Sequence, residues 1–287
     1  MREVKVAAVQ FESTADIEEN RRKALRFCED AARGGAQAVC LPEFWLTGNP
    51  ARGESERLKP LAEPVPGPTF DVFCRTAREL RLYIVPGTVL EIGEDHQYYN
   101  TSGLIAPDGT LMARLRKDHP EDAPGKAEVE CGIRPGPGEY PVFETPLGRI
   151  GVPIDVDMCA IEVPRIMGLK GAEILFWPLC WGATVHDAVA PYAMIASTIS
   201  AAYVVASNRV GAAPLLRIGG SGVFWLRDYV ARVPNLVEGV TVATLDLDLI
   251  KARREDCRRT YPFWRRPSTY RLLVDEEIEK RRRGSTI

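Results

Sequence analysis

Gly148-Arg149-Ile150-Gly151-Val152-Pro153-Ile154-Asp155-Val156-Asp157-Met158, followed by Glu162-Val163-Pro164-Arg165, is the stretch on which the fold turns. Its apolar first half predicts a strand over residues 149–154, and the pattern beyond it predicts a helix near residues 161–169. Asp155 stands at the junction. A strand that hands over to a helix through a short polar segment is the repeating unit of an α/β domain.

Outward from this stretch the alternation continues. Residues 4–10 are strand-like, and residues 17–32 carry apolar side chains at 17, 24, 25, 28, 31 and 32, which is helical spacing. Residues 38–41 form a short buried strand, Phe70, Phe73, Cys74, Ala77 and Leu80 a second helical stripe, and residues 83–91 another strand. Strands over 98–106 and 111–116 flank Pro107-Asp108-Gly109, a good hairpin turn. A polar stretch rich in Pro and Gly from 118 to 139 breaks the pattern, and a loop of that length is often functional. Strands near 140–144, 174–177, 203–208, 222–226, 231–233 and 241–247 and a helix near 191–202 complete an α/β layered domain over residues 1–270. Residues 271–287 form a charged arm.

Composition narrows the function classes. The chain has 287 residues, 45% hydrophobic and 26% charged, with a formal net charge of −2. That balance gives no electrostatic reason to expect nucleic acid or an anionic membrane as partner. The basic clusters at Arg253-Arg254, Arg258-Arg259, Arg265-Arg266 and 281–283 fit a solvated face or tail. The stretch 188–206 is too short and too polar for a membrane span, and the N-terminus lacks the apolar core of a signal peptide. Seven cysteines without a CxxC pair fit free thiols in a cytoplasmic protein. The three histidines are scattered, so no metal is expected, and no phosphate loop or GxSxG elbow points to a cofactor or a serine nucleophile.

Three positions could carry chemistry. Glu43, in Leu41-Pro42-Glu43-Phe44, follows a short apolar strand, where a partly buried carboxyl can serve as general base. Lys117, in Arg116-Lys117-Asp118-His119, ends a strand, where an ammonium can stabilise an oxyanion. Asp155 is the third. Taken alone, a strand-end Glu is more often a cap and a lone Lys more often a surface group.

Together and in this order the three segments resemble the nitrilase superfamily, the carbon–nitrogen hydrolases. Further matches run from Val4–Gln10 through Gly171-Ala172-Glu173, Trp177-Pro178, Asn208-Arg209-Val210-Gly211 and Gly219-Gly220-Ser221 to Arg265-Arg266-Pro267. The resemblance implies an α-β-β-α four-layer sandwich, paired into a homodimer. It implies hydrolysis of small amides, carbamoyl compounds or nitriles by a Glu–Lys–Cys mechanism without cofactor. Glu43 would be the base and Lys117, with the Val156 N–H, would hold the oxyanion. A second Glu in the loop after the Lys would position base and substrate. Glu121, Glu128 and Glu130 are candidates, with Glu130 favoured. Trp181 would line the pocket or serve core or interface, and His119 would be structural.

At the family's nucleophile position the chain has Asp155, although Asp157 and Glu162 keep the family's register. A carboxylate attacking an amide would form a high-energy mixed anhydride, and it would lie near Glu43 unless Lys117 neutralises the pair. An Asp–Lys ion pair would also occupy the electrophile. Four roles are open: an engineered inactivating change, a natural loss of function that leaves a binding module, a general base for direct water attack, or a shifted register with Cys159 as nucleophile.

Overall fold

The computed structural model describes residues 2–123, 126–182, 189–211, 216–256 and 265–275. The chain begins with β1 (Glu3–Glu12), α1 (Ile17–Arg33), β2 (Ala38–Cys40), α2 (Pro68–Leu80), β3 (Tyr83–Val85), β4 (Val89–Ile92), β5 (Tyr98–Ile105) and β6 (Leu111–Arg116). It continues through β7 (Val142–Thr145), β8 (Gly148–Gly151), α3 (Glu162–Leu169), β9 (Ile174–Pro178), α4 (Val189–Ser200) and β10 (Tyr203–Ser207). Then come β11 (Arg209–Gly211), β12 (Arg217–Ile218), β13 (Gly222–Trp225), β14 (Asp228–Arg232), β15 (Gly239–Asp246) and α5 (Asp248–Asp256).

The strands make two large sheets. One runs β12-β11-β1-β2-β3-β5-β4, with β15 beside β1 and β6 beside β5; the other runs β14-β13-β10-β9-β8-β7. Along β1, successive side chains point to opposite faces, so one strand serves two cores. Val4, Val6 and Ala8 pack with Ile150, Ile174, Phe176 and Val205 between the sheets. Ala7, Val9 and Phe11 pack outward against Ala24, Phe27, Cys28 and Ala31 of α1 and Phe70, Phe73 and Ala77 of α2. On the outer face of the second sheet, Leu175, Trp177 and Val204 meet Val163 and Met167 of α3 and Ala193 and Ala196 of α4. The result is the expected α-β-β-α sandwich.

Local chemistry explains the boundaries that matter. Asp16 caps α1 by accepting from the Glu19 N–H at 3.0 Å, which satisfies one orphan donor of the first turn. The strand expected over 149–154 stops at Gly151, because Pro153 has no N–H to continue the ladder. The 118–139 stretch holds a small ribbon, Asp122–Ala123 against Lys126–Ala127, which no periodic pattern announced. From residue 189 on, the stretch expected to be too polar for a span divides between α4 and β10, and among the described residues no helix is long and apolar enough to cross a membrane. The expected arm at 271–287 lies outside the described residues beyond 275.

Candidate active site

Three strand ends and one loop converge on a fully buried cluster. Glu43 follows β2, Lys117 follows β6, Asp155 follows β8, and Glu128 comes from the loop after β6. Lys117 Nζ lies 3.2 Å from Glu43 Oε1, 2.6 Å from Glu128 Oε2 and 2.7 Å from Asp155 Oδ2. Asn100 on β5 donates through its one amide nitrogen to Glu43 Oε1 and to Glu128 Oε1, each at 2.7 Å. Burial alone would lower the Lys117 pKa, but Asp155, Glu128 and Glu43 together hold the ammonium well above its ordinary value. Three carboxyl groups face this ammonium, and the Arg209 guanidinium also acts electrostatically on Glu43.

Asp155 adopts a left-handed backbone conformation (φ 50°), uncommon for a residue with a side chain and typical of functional turns. Its carbonyl accepts from Trp177 Nε1 at 2.8 Å, and its Oδ1 accepts from the Cys180 N–H at 3.4 Å. Asp157 stabilises the turn that follows. Its carboxylate accepts from the N–H groups of Ile154, Asp118 and His119 at 3.3, 3.2 and 2.9 Å and meets His119 Nδ1 at 2.7 Å. That hydrogen bond raises the His119 pKa. His119 thus ties the loop after Lys117 to the turn after Asp155, outside the carboxyl cluster.

The second glutamate is corrected. Glu130 is 39% exposed and pairs with Arg52 at 2.7 Å, away from Lys117. Glu128 occupies the place beside Lys117, and its Oε2 also accepts from the Glu121 N–H at 2.8 Å. The ribbon at 122–127 turns residue 128 inward and leaves Val129 and Glu130 exposed in the next turn. Trp181 is buried in a row of edge-to-face rings, Trp177–Trp181–Tyr192, so packing accounts for its ring. Cys159 packs against the α3–α4 core, which gives the shifted register no support. Val156 follows Asp155 directly in the turn Asp155–Met158.

Asn100 is a site residue that sequence patterning missed. The run Asn100-Thr101-Ser102 is fully buried inside a strand, and that polar run in a core strand was the available signal.

Comparison with known proteins agrees with the geometry. Residues 5–255 match the carbon–nitrogen hydrolase family, and the chain belongs to it. It is 31% identical to N-carbamoylputrescine amidase of Solanum lycopersicum, over 94% of this chain and 95% of that one. It is 31% identical to human omega-amidase NIT2 over 66% of this chain and 67% of that one. Among solved structures, a carbon–nitrogen hydrolase from Helicobacter pylori G27 superposes with a TM-score of 0.86 at 22% identity, covering 95% and 99% of the two chains. Saccharomyces cerevisiae Nit3, a nitrilase-superfamily member, gives 0.81 at 24% identity, covering 92% and 97%.

Proposed function

We propose that this chain is a carbon–nitrogen hydrolase scaffold for small non-peptide amides, carbamoyl compounds or nitriles, in which Asp155 suppresses turnover. Amide or carbamoyl substrates fit best with the amidase names of the relatives. The observation that carries the proposal is the 2.7 Å contact between Lys117 and Asp155, inside a buried cluster that also holds Glu43 and Glu128. With a thiol at position 155, Glu43 would take the thiol proton and pass it to the leaving amine. Lys117 and the Val156 N–H would hold the oxyanion, and Glu128 and Asn100 would fix the Lys and the base. Water activated by Glu43 would then hydrolyse the thioester. With Asp155 the ammonium is engaged by a carboxylate that is a poor acyl carrier.

The test is Asp155→Cys. The folded variant is expected to hydrolyse members of an amide, carbamoyl and nitrile panel at rates far above the chain as written. A folded variant inactive across the panel overturns the proposal. The same Lys117–Asp155 pair favours a second reading, a silent binding protein on this scaffold. It predicts retention of a small amide or carboxylate with no turnover in either variant.

Two further features belong to the same proposal. Exposed Ile161 (41%), Leu169 (52%) and Ile195 (46%) on α3, α4 and their approach offer an apolar face suited to a homodimer, which light scattering would read as a doubled mass. The six free cysteines among the described residues favour a cytoplasmic, reducing setting.

A further inference from the structure

A thiol stands beside the position where the family's nucleophile is missing. Cys180 follows β9, is 2% exposed, and its N–H contacts the Asp155 carboxylate. Its Sγ lies 2.8 Å from Asn49 Oδ1, 3.2 Å from Arg217 Nε and 3.4 Å from Arg209 Nη1. Both arginines are buried. Arg209 Nη1 also reaches Asn49 Oδ1 at 3.1 Å and the Phe44 carbonyl at 3.4 Å. Arg209 Nε has no hydrogen-bond partner, and among the described residues no carboxylate lies within ion-pair distance of Arg209. Burial pushes its pKa down, the Cys180 sulfur opposes that, and the charge of Arg217 adds to the lowering. A buried guanidinium without a carboxylate in ion-pair contact is costly, and Arg209 feels Glu43 only at longer range.

The surroundings of four other thiols are of another kind. Burial raises the pKa of Cys28 and pushes Cys40 up to about 12, while Cys74 and Cys131 are also raised. None of them has a guanidinium nitrogen hydrogen-bonded to its sulfur among the described contacts.

We propose that Cys180 is the nucleophilic thiol of this site, alkylated by small carbon electrophiles that carry a carboxylate. Two guanidiniums stabilise negative charge as it develops on sulfur, and the spare Arg209 donor attracts the acid group of the electrophile. In the step, the Sγ–C bond forms as the bond from carbon to the leaving group breaks. The leaving group departs with the bonding pair, and the thiol proton is released to the buffer.

Iodoacetate and iodoacetamide distinguish this from ordinary thiol chemistry, because they differ in charge while presenting the same leaving group. The full chain is treated in the native state with each reagent, and every cysteine is quantified by peptide mass spectrometry. Cys180 is expected to react about tenfold faster with iodoacetate, the factor that one modest charge-assisted interaction gives. Half-buried Cys74 and Cys159 should prefer the neutral reagent. Sulfate should slow the reaction of iodoacetate at Cys180 and leave Cys74 unchanged. Arg209→Gln should erase the preference, and the sulfate arm reads the same property if that variant does not fold. Cys180 refractory to both reagents in the native chain, or faster with iodoacetamide, overturns the proposal. A failed Asp155→Cys revertant bears only on the hydrolase proposal and leaves this one standing.

Discussion

Lys117 is the residue on which the buried cluster depends. Its ammonium makes hydrogen bonds to Glu43, Glu128 and Asp155 together. Removing one partner of a buried ionic group leaves uncompensated charge and costs about 3–5 kcal/mol. Lys117→Met keeps the length of the side chain and removes the charge, so it should destabilise the fold by about that amount in urea unfolding. A loss below about 1 kcal/mol would mean that the cluster does not hold its charges as described. Single-residue legibility varied with the kind of signal. Glu43, Lys117 and Asp155 were picked out by the family resemblance of the segments around them, since a strand-end Glu or Lys alone is more often a cap or a surface group. Glu128 was not, because a short ribbon with no periodicity sets its direction, and Glu130 looked equally suitable in sequence.

At the scale of elements, the turn after β8 and the loop after β6 are joined through Asp157 and His119. The hydrogen bond that the His119 ring donates to Asp157 raises the His119 pKa above its ordinary value, burial opposes this, and Asp118 helps while Lys117 hinders. Because the folded value exceeds the unfolded one, this contribution is fully present below about pH 6.5 and is lost as pH rises through the higher folded value. Urea midpoints should therefore fall as pH rises above about 6.5, and His119→Gln should flatten that slope. A slope unchanged in the variant would assign the pH dependence elsewhere. Asp157 itself accepts three backbone N–H groups, so it organises both segments whether or not His119 is charged. The helices and long strands were legible from periodicity. The strand at β8 was expected to run three residues longer, and Pro153 explains why the chain leaves the sheet there.

Across the whole molecule, the site exists only because two sheets are held in register. Glu43, Lys117 and Glu128 come from the first sheet and its loops, while Asp155 and Cys180 come from the second. Ser207 at the end of β10 links the two. Its Oγ donates to the Cys40 carbonyl at 2.9 Å and accepts from the Val9 N–H at 3.2 Å, both buried. The Glu43 N–H adds a second tie by donating to the Leu179 carbonyl at 3.2 Å. Cys40 directly precedes the Leu41-Pro42-Glu43 turn, so the hydroxyl anchors the base through its own strand. Ser207→Ala leaves a buried donor and a buried acceptor unpaired, which should cost about 1–3 kcal/mol in thermal or urea unfolding. Introduced into the Asp155→Cys variant, the same change should lower kcat more than it raises KM, because it shifts the base without touching the substrate. Full stability with an altered KM alone would show that Ser207 acts at the pocket rather than between the sheets.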